Sequence, residues 1–321
     1  MKILYIDPEI HTPNSRVYEH YNYLFDQVAQ KAECFAYRDT QFDNILTPLN
    51  AARSAGFEPD VIFFGMGWFA LSLWPPCNLQ TRNIDIPCVG FLYKPQNFLD
   101  KKIEFLKSNN FDLVVTSVPA IDEYQEKTGI QCALVPQAGD PAVFYDRGLE
   151  KVYDIGFSGA LHDNKHYVDG AFKNLNVRSQ VQDILKSQKG ITTFLNGSDT
   201  AFTRILSYEE YAKKINEAKV WIATPAPFEE VTGRYFEIGM SKTLILCSEI
   251  PAQYRDILID GVTCVTFEDD VSNFLEKFYH YLNNWEDAQS IIDRTYDQFH
   301  EHHTWERRAS TLLELFRGLL K

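Results

Sequence analysis

Glu229, Arg234 and Glu237 are three charged side chains at one junction. There the segment KVWIATPAPFEEVTGRYFEIGMSKTLILCSE (219–249) passes from a strand through a Pro-rich acidic loop into a short helix. A helix start presents free backbone N–H groups and the positive end of the helix dipole, and both favour an anion such as phosphate. An Arg is electrostatically unwelcome at such an end unless an anion sits there, and its forked guanidinium can pair with phosphate oxygens. Glu237, one turn deeper, can accept hydrogen bonds from two neighbouring hydroxyls, as on a ribose, and a loop carboxylate such as Glu229 can hold a sugar. A purely structural reading, an acidic helix start plus an Arg–Glu pair at i, i+3, accounts for Glu230 but not for the placement of Arg234. In outline this is a nucleotide-sugar site.

The elements that must position these residues read as a strand over 220–224, a helix over about 233–240 and a buried strand over 243–248. They belong to a longer alternation. In the first half, strands at 2–7, 33–37, 61–64, 88–93, 113–116 and 133–135 alternate with helices at 15–31, 42–55, 99–108 and 120–127. A Pro/Gly/Asp-rich stretch (136–141) reads as a linker. A second series follows, with strands at 153–159 and 191–195, helices at 178–188 and 207–219, then the 219–249 unit, a strand at 262–267 and a helix at 271–283. Short, continuous apolar strands between helices imply parallel sheets covered on both faces. The expectation is an α/β chain of two Rossmann-like domains, 1–145 and 146–303. In the tail, 304–321, Trp305, Ala309, Leu312, Phe316 and Leu319 fall on one helical face and need a surface to cover. Open α/β sheets bind ligands at the carboxyl ends of their strands, so two such domains facing one another would line a cleft with those ends.

Composition removes several functions. The chain has 321 residues, enough for two domains, and carries a net charge of −13. No Lys/Arg run exceeds a pair, which argues against nucleic acid and against a polybasic membrane anchor, so a substrate phosphate must be met by a local pocket. Six cysteines are scattered without a CxxC pair and read as reduced core thiols. No signal-peptide pattern opens the chain and no apolar run approaches a membrane span, so a soluble cytoplasmic protein is expected.

Other candidates surround the junction. Ser158 and Gly159 end the first strand of the second half, where small residues let backbone approach a phosphate, and Lys165 follows as a possible second cation. His300 and His303 in HEHHTWERR share a helix face, but no third ligand is positioned with them and a polar helix junction explains them. In the first half His11, Trp68, Tyr93, Lys94 and Ser117 stand at strand ends, where any could face an acceptor. Gly-x-Gly-x-x-Gly, P-loop and Gly-x-Ser-x-Gly patterns are absent, which disfavours nicotinamide enzymes, P-loop NTPases and α/β-hydrolases.

The second half resembles the GT-B glycosyltransferases, in particular the group that includes spore-maturation CgeB-like proteins. The resemblance rests on YDIGFSG (153–159), SYEEYAKKINEAKVWIATPAP (207–227), GRYFEIGMSKTLILCSE (233–249), FED (267–269) and HHTWERRASTLL (302–313). It implies a GT-B fold whose C-terminal helix crosses back, and transfer of a sugar from a nucleotide-diphosphate sugar, UDP- or GDP-linked, to a glycan or other hydroxyl acceptor. Retaining enzymes of this fold often carry two Glu separated by seven residues, and Glu229 and Glu237 have that spacing. By resemblance, Glu237 binds the ribose hydroxyls and Glu229 the donor sugar. Arg234, the backbone at Thr232 and Gly233, Ser158, Gly159 and Lys165 meet the diphosphate. His11 is the first-domain candidate on the acceptor side. The resemblance implies no metal and no cofactor beyond the donor, because cations and a helix start stabilise the leaving group. Two departures stand out: Ala160 occupies the position of the usual Arg after Gly159, and Lys242 that of a small residue before the next strand. A catalytically inactive nucleotide- or glycan-binding protein of the same shape, and a non-hydrolytic epimerase, are the alternatives.

Overall fold

The computed structural model describes residues 1–8, 20–39, 41–70, 79–95, 97–161, 177–198 and 207–320. The described residues divide into two compact units: those up to Pro136 together with those from Trp305 onward, and Gln137–Thr304. Each is built on one wholly parallel sheet.

The first unit contains β1 (Lys2–Ile6), α1 (His20–Lys31), β2 (Glu33–Tyr37), α2 (Leu46–Ser54), β3 (Val61–Phe64), α3 (Met66–Ala70), β4 (Cys88–Leu92), α4 (Leu99–Ser108), β5 (Leu113–Thr116), α5 (Ile121–Thr128) and β6 (Cys132–Leu134). Its strand order is β2-β1-β3-β4-β5-β6. The run Val61-Ile62-Phe63-Phe64 is buried on both faces, as a central parallel strand must be. The tail helix, α11 (Trp305–Leu319), returns to this unit and packs against α1. Phe316 meets the Phe63 ring at 5.1 Å, and Lys31 Nζ bonds Glu306 at 2.9 Å.

The second unit contains β7 (Tyr153–Gly159), α6 (Val177–Ser187), β8 (Thr193–Gly197), α7 (Tyr208–Asn216), β9 (Ala218–Ala223), α8 (Gly233–Met240), β10 (Leu244–Cys247), β11 (Val265–Thr266), α9 (Phe274–Asn283) and α10 (Trp285–His302), in sheet order β11-β10-β9-β7-β8. One face of the sheet carries Ile155, Phe157, Val220, Ile222, Leu244 and Leu246 against α6, α9 and α10. On the other face Trp221 packs over Gly156, where a Cβ would overlap its ring, and meets Tyr211 of α7 edge-on at 5.9 Å. Ser207 caps α7, its hydroxyl accepting from the Glu210 N–H at 3.1 Å.

Residues 137–145, which the sequence reading places in the first domain, stand in the second unit. Gln137 Nε2 donates to Glu230 at 3.1 Å, and the Gly139 N–H donates to the His303 carbonyl at 3.2 Å. Two elements differ from expectation. Helix α10, 18 residues long, is an element the sequence reading did not place, and HEHHTWERR forms the junction between its end and α11, as expected. The strand expected at 262–267 shrinks to Val265–Thr266, because residues 259–264 close into a turn with Thr263 Oγ1 accepting from the Ile259 N–H.

Candidate functional site

In the second sheet the chain leaves β7 for β8 on one side and β9 lies on the other, so the topological switch point falls between the carboxyl ends of β7 and β9, where such sheets bind ligands. The end of β7 supplies Ser158 and Gly159. The end of β9 leads through Thr224 and Pro225 to a 3-10 turn over Pro227–Glu229 and then to α8.

Helix α8 is polarised at its two ends. At its start, the Thr232 backbone is extended in the N-cap position, but its hydroxyl makes no cap bond and no acidic residue stands in the first turn. Its end is saturated with donors. His300 Nε2 lies 3.2 Å from the Met240 carbonyl, and Lys151 Nζ donates to the Lys242 carbonyl at 2.9 Å and to Thr243 Oγ1 at 3.0 Å. Cations at the C-terminus and open N–H groups at the N-terminus are the arrangement that suits an anion at the start. It also accounts for the histidine motif. His300 serves the helix end and His303 stacks on Phe236 at 5.5 Å. No group of three His, Cys, Asp or Glu able to hold a metal occurs among the described residues.

Around that start, polar groups converge without partners. Arg234 lies against Gly159: a Cβ at position 159 would stand 2.6 Å from Arg234 Nη2. Nε and Nη1 of Arg234, Oγ1 of Thr232 and the hydroxyl of Tyr211 are all buried and lack a hydrogen-bond partner. The Glu237 carboxyl folds back toward Gly233, with Oε1 3.3 Å from where a Cβ on that glycine would lie. Burial pushes the Glu237 carboxyl up to about 7, opposed by the Arg234 charge and the Tyr211 hydroxyl. Tyr211 in turn feels Glu237, Arg234 and Ser158, and burial raises its phenol. Buried donors and acceptors are normally paired, so four orphan atoms in one place mark a site rather than a core.

The loop before α8 is strained. Phe228 and Glu229 both adopt left-handed backbone, at φ 58° and 59°. Non-glycine residues are held there at a cost of about 1–3 kcal/mol each, and such strain concentrates at ligand sites. Glu229 is half-buried, whereas its neighbour Glu230 is buried and bonded to Gln137.

Ser158, Gly159, Thr232, Gly233, Arg234 and Glu237 thus gather at one end of the sheet, with Glu229 in the adjoining turn. Lys165 and His11 lie outside the described residues. The two departures from the family pattern acquire physical meaning. Lys242 has φ 53° at the far end of α8, a left-handed position that favours a small residue, and its ammonium turns to Asp293 and Asp146 at 3.5 and 3.7 Å, remote from the helix start. At Ala160, the carbonyl accepts from Arg178 Nη1 at 2.9 Å. The same guanidinium holds the Thr224 and Pro225 carbonyls and Thr224 Oγ1, so Arg178 ties the ends of β7 and β9 together.

Sequence reasoning missed Arg178 and Tyr211, which reach the site only through the packing of α6 and α7. In the first unit it missed two buried ionisable groups. Asp7 accepts from the Gly67 and Trp68 N–H groups at 3.3 and 2.5 Å, and Lys102 donates to the Tyr93 and Lys94 carbonyls at 2.8 and 2.6 Å. Trp68 is fully buried and rings with Phe42 and Phe64, so its role is packing, and Ser117 is also buried.

A family model described as glycosyl transferase-like matches residues 178–314. No curated protein matches in sequence. Among solved structures, Anabaena HepE, in complex with UDP and glucose, superposes with a TM-score of 0.62 at 11% identity over 99% of this chain and 100% of that one. Sucrose-phosphate synthase from Thermosynechococcus elongatus gives 0.59 at 13% identity, over 99% and 98%. A glycosyltransferase from Rickettsia africae gives 0.58 at 12%, over 100% and 98%. The chain has the two-sheet α/β architecture of the GT-B fold.

Proposed function

We propose that this chain is a glycosyltransferase that takes a sugar from a nucleotide-diphosphate donor, with UDP as the favoured nucleotide, and passes it to a hydroxyl acceptor. The observation that carries the reading is the set of unpartnered buried groups at the start of α8: Thr232 Oγ1, Arg234 Nε and Nη1 and the Tyr211 hydroxyl, beside a carboxyl at Glu237. Arg234 and the open N–H groups of α8 would take the diphosphate and stabilise the charge that develops as it leaves, with no metal required. Glu237 would accept from the ribose hydroxyls. Glu229, fixed in a strained turn eight positions earlier, would hold the donor sugar, and the pairing of these two glutamates supports retention of configuration. The bound UDP and glucose of HepE support the choice of ligand class.

Calorimetry with UDP and GDP tests the site. Wild type should bind one of them, and Glu237→Ala should lose that binding while keeping its melting temperature within a few degrees. Equal affinity of Glu237→Ala and wild type would overturn the assignment. Hydrolysis or transfer of the matching donor then separates an enzyme from a binding protein.

A further inference from the structure

Arg178, buried in the first turn of α6, spans the switch point of the second sheet. On the β7 side its Nη1 donates to the Ala160 carbonyl at 2.9 Å. On the β9 side its Nη2 donates to the Thr224 and Pro225 carbonyls at 3.1 and 3.0 Å. The Pro225 bond reaches further along the chain. In a trans peptide the C=O and the following N–H point in opposite directions. The Pro225 carbonyl faces Arg178, so the Ala226 N–H faces away from it, and there it donates to the Glu230 carbonyl at 2.8 Å. That bond closes the turn in which Phe228 and Glu229 hold left-handed backbone. The other leg of the turn is fixed through its side chain: the buried Glu230 carboxyl accepts from Gln137 Nε2 at 3.1 Å. A strained backbone persists only where its surroundings over-determine it. Here both legs are fixed, and Glu229 stands half-buried between them.

We propose that Arg178 is a positioning residue for Glu229: its guanidinium holds the base of the Glu229 turn in fixed register with the end of β7, where Gly159 abuts Arg234. One rigid plane thus sets the spacing between the anion-binding end of the site and the carboxyl that holds the group attached to the anion. That this group is a sugar rests on the nucleotide-sugar reading; the coupling of Arg178 to the turn does not. A lysine could not take the same part. Its ammonium is a point charge on a flexible stem, and it cannot hold the Ala160 and Pro225 carbonyls, on opposite sides of the switch point, in one rigid frame.

The test is Arg178→Lys, which keeps the charge and removes the fork. Thr224→Val, which removes only the hydroxyl that Nε of Arg178 holds, is the milder variant. Amide hydrogen exchange followed by NMR reads the clamp without any ligand. The Ala226 N–H should exchange about 10-fold faster in Arg178→Lys, the weight of one hydrogen bond to a charged group, and by a smaller factor in Thr224→Val. The Ile222 N–H, within β9, should keep its wild-type rate in both. Calorimetry reads the consequence. UDP-glucose should bind Arg178→Lys about 10-fold more weakly than wild type, with UDP alone losing clearly less. In a Glu229→Ala background, Arg178→Lys should weaken UDP-glucose no more than it weakens UDP, because the two residues act as one unit. An unchanged Ala226 rate in both variants overturns the proposal, as does a UDP-glucose loss that is as large in the Glu229→Ala background as without it. If Arg178→Lys does not fold, the Ala226 rate in Thr224→Val decides. If wild type binds neither UDP nor UDP-glucose, the donor reading falls, and the exchange rates still decide the role of Arg178.

Discussion

The Arg234 guanidinium occupies the space that any side chain at position 159 would need. Gly159 has φ 133°, a conformation that side chains other than glycine rarely adopt, and a Cβ there would press on Nη2 at 2.6 Å and on Cζ at 3.2 Å. The end of β7 and the start of α8 are therefore fitted to one another through a missing side chain. Gly159→Ala should cost about 1–3 kcal/mol of stability and displace Arg234, so that nucleoside-diphosphate affinity falls as well. Thermal unfolding and calorimetry on the same sample check both. A variant that is destabilised yet binds the nucleotide as wild type does would show that Arg234 has no part in the site.

Arg234 itself leaves a different signature. Its Nε and Nη1 have no partners to lose, so Arg234→Ala should change the melting temperature little. Turnover should fall on the order of 100-fold, the usual effect of removing one group that stabilises developing charge. Arg234→Lys should recover only part of this, because an ammonium lacks the planar fork. Donor hydrolysis rates set against melting temperatures decide the matter: loss of both in step would make Arg234 structural.

The electrostatic anomaly at Arg234 is the part of the site that could be read from residue order alone, because helix polarity follows from strand–loop–helix succession. The parallel sheets were legible for a similar reason. Runs such as Val61–Phe64 and Leu244–Cys247 are apolar throughout, and only burial on both faces explains that. Helix α10 carries its own signal, with Ala288, Ile291, Ile292, Thr295 and Phe299 buried at helical spacing, and the histidine cluster at its end was legible as the junction it makes with α11. Tyr211 and Arg178 had no such signal. Each looks like an ordinary residue on an amphipathic helix until the crossing of that helix over β7 and β9 decides which side chain reaches the strand ends. The burial of Asp7 and Lys102 was illegible for the same reason, since a charged residue shows its desolvation only in three dimensions.

Asp7 gives the first unit a pH dependence of definite sign. Its carboxylate is buried at the end of β1 and accepts from the Gly67 and Trp68 N–H groups at the start of α3. Desolvation pushes it up to about 7, against the pull of those two N–H groups and of the Arg38 charge. In the unfolded chain it titrates near 3.9. Between about pH 4 and pH 7 the folded state therefore binds more protons than the unfolded one, and this group's contribution to stability falls as pH rises through that window, levelling above 7. Asp7→Asn removes the titration and turns an amide donor toward one of the two N–H groups, a mismatch of about 1–3 kcal/mol. The variant should be less stable than wild type at pH 5, and the gap should narrow by pH 8, because only wild type loses stability on the way. Urea unfolding at both pH values measures the gap, and one that stays constant or widens with pH would show that the Asp7 carboxyl is not held protonated by burial.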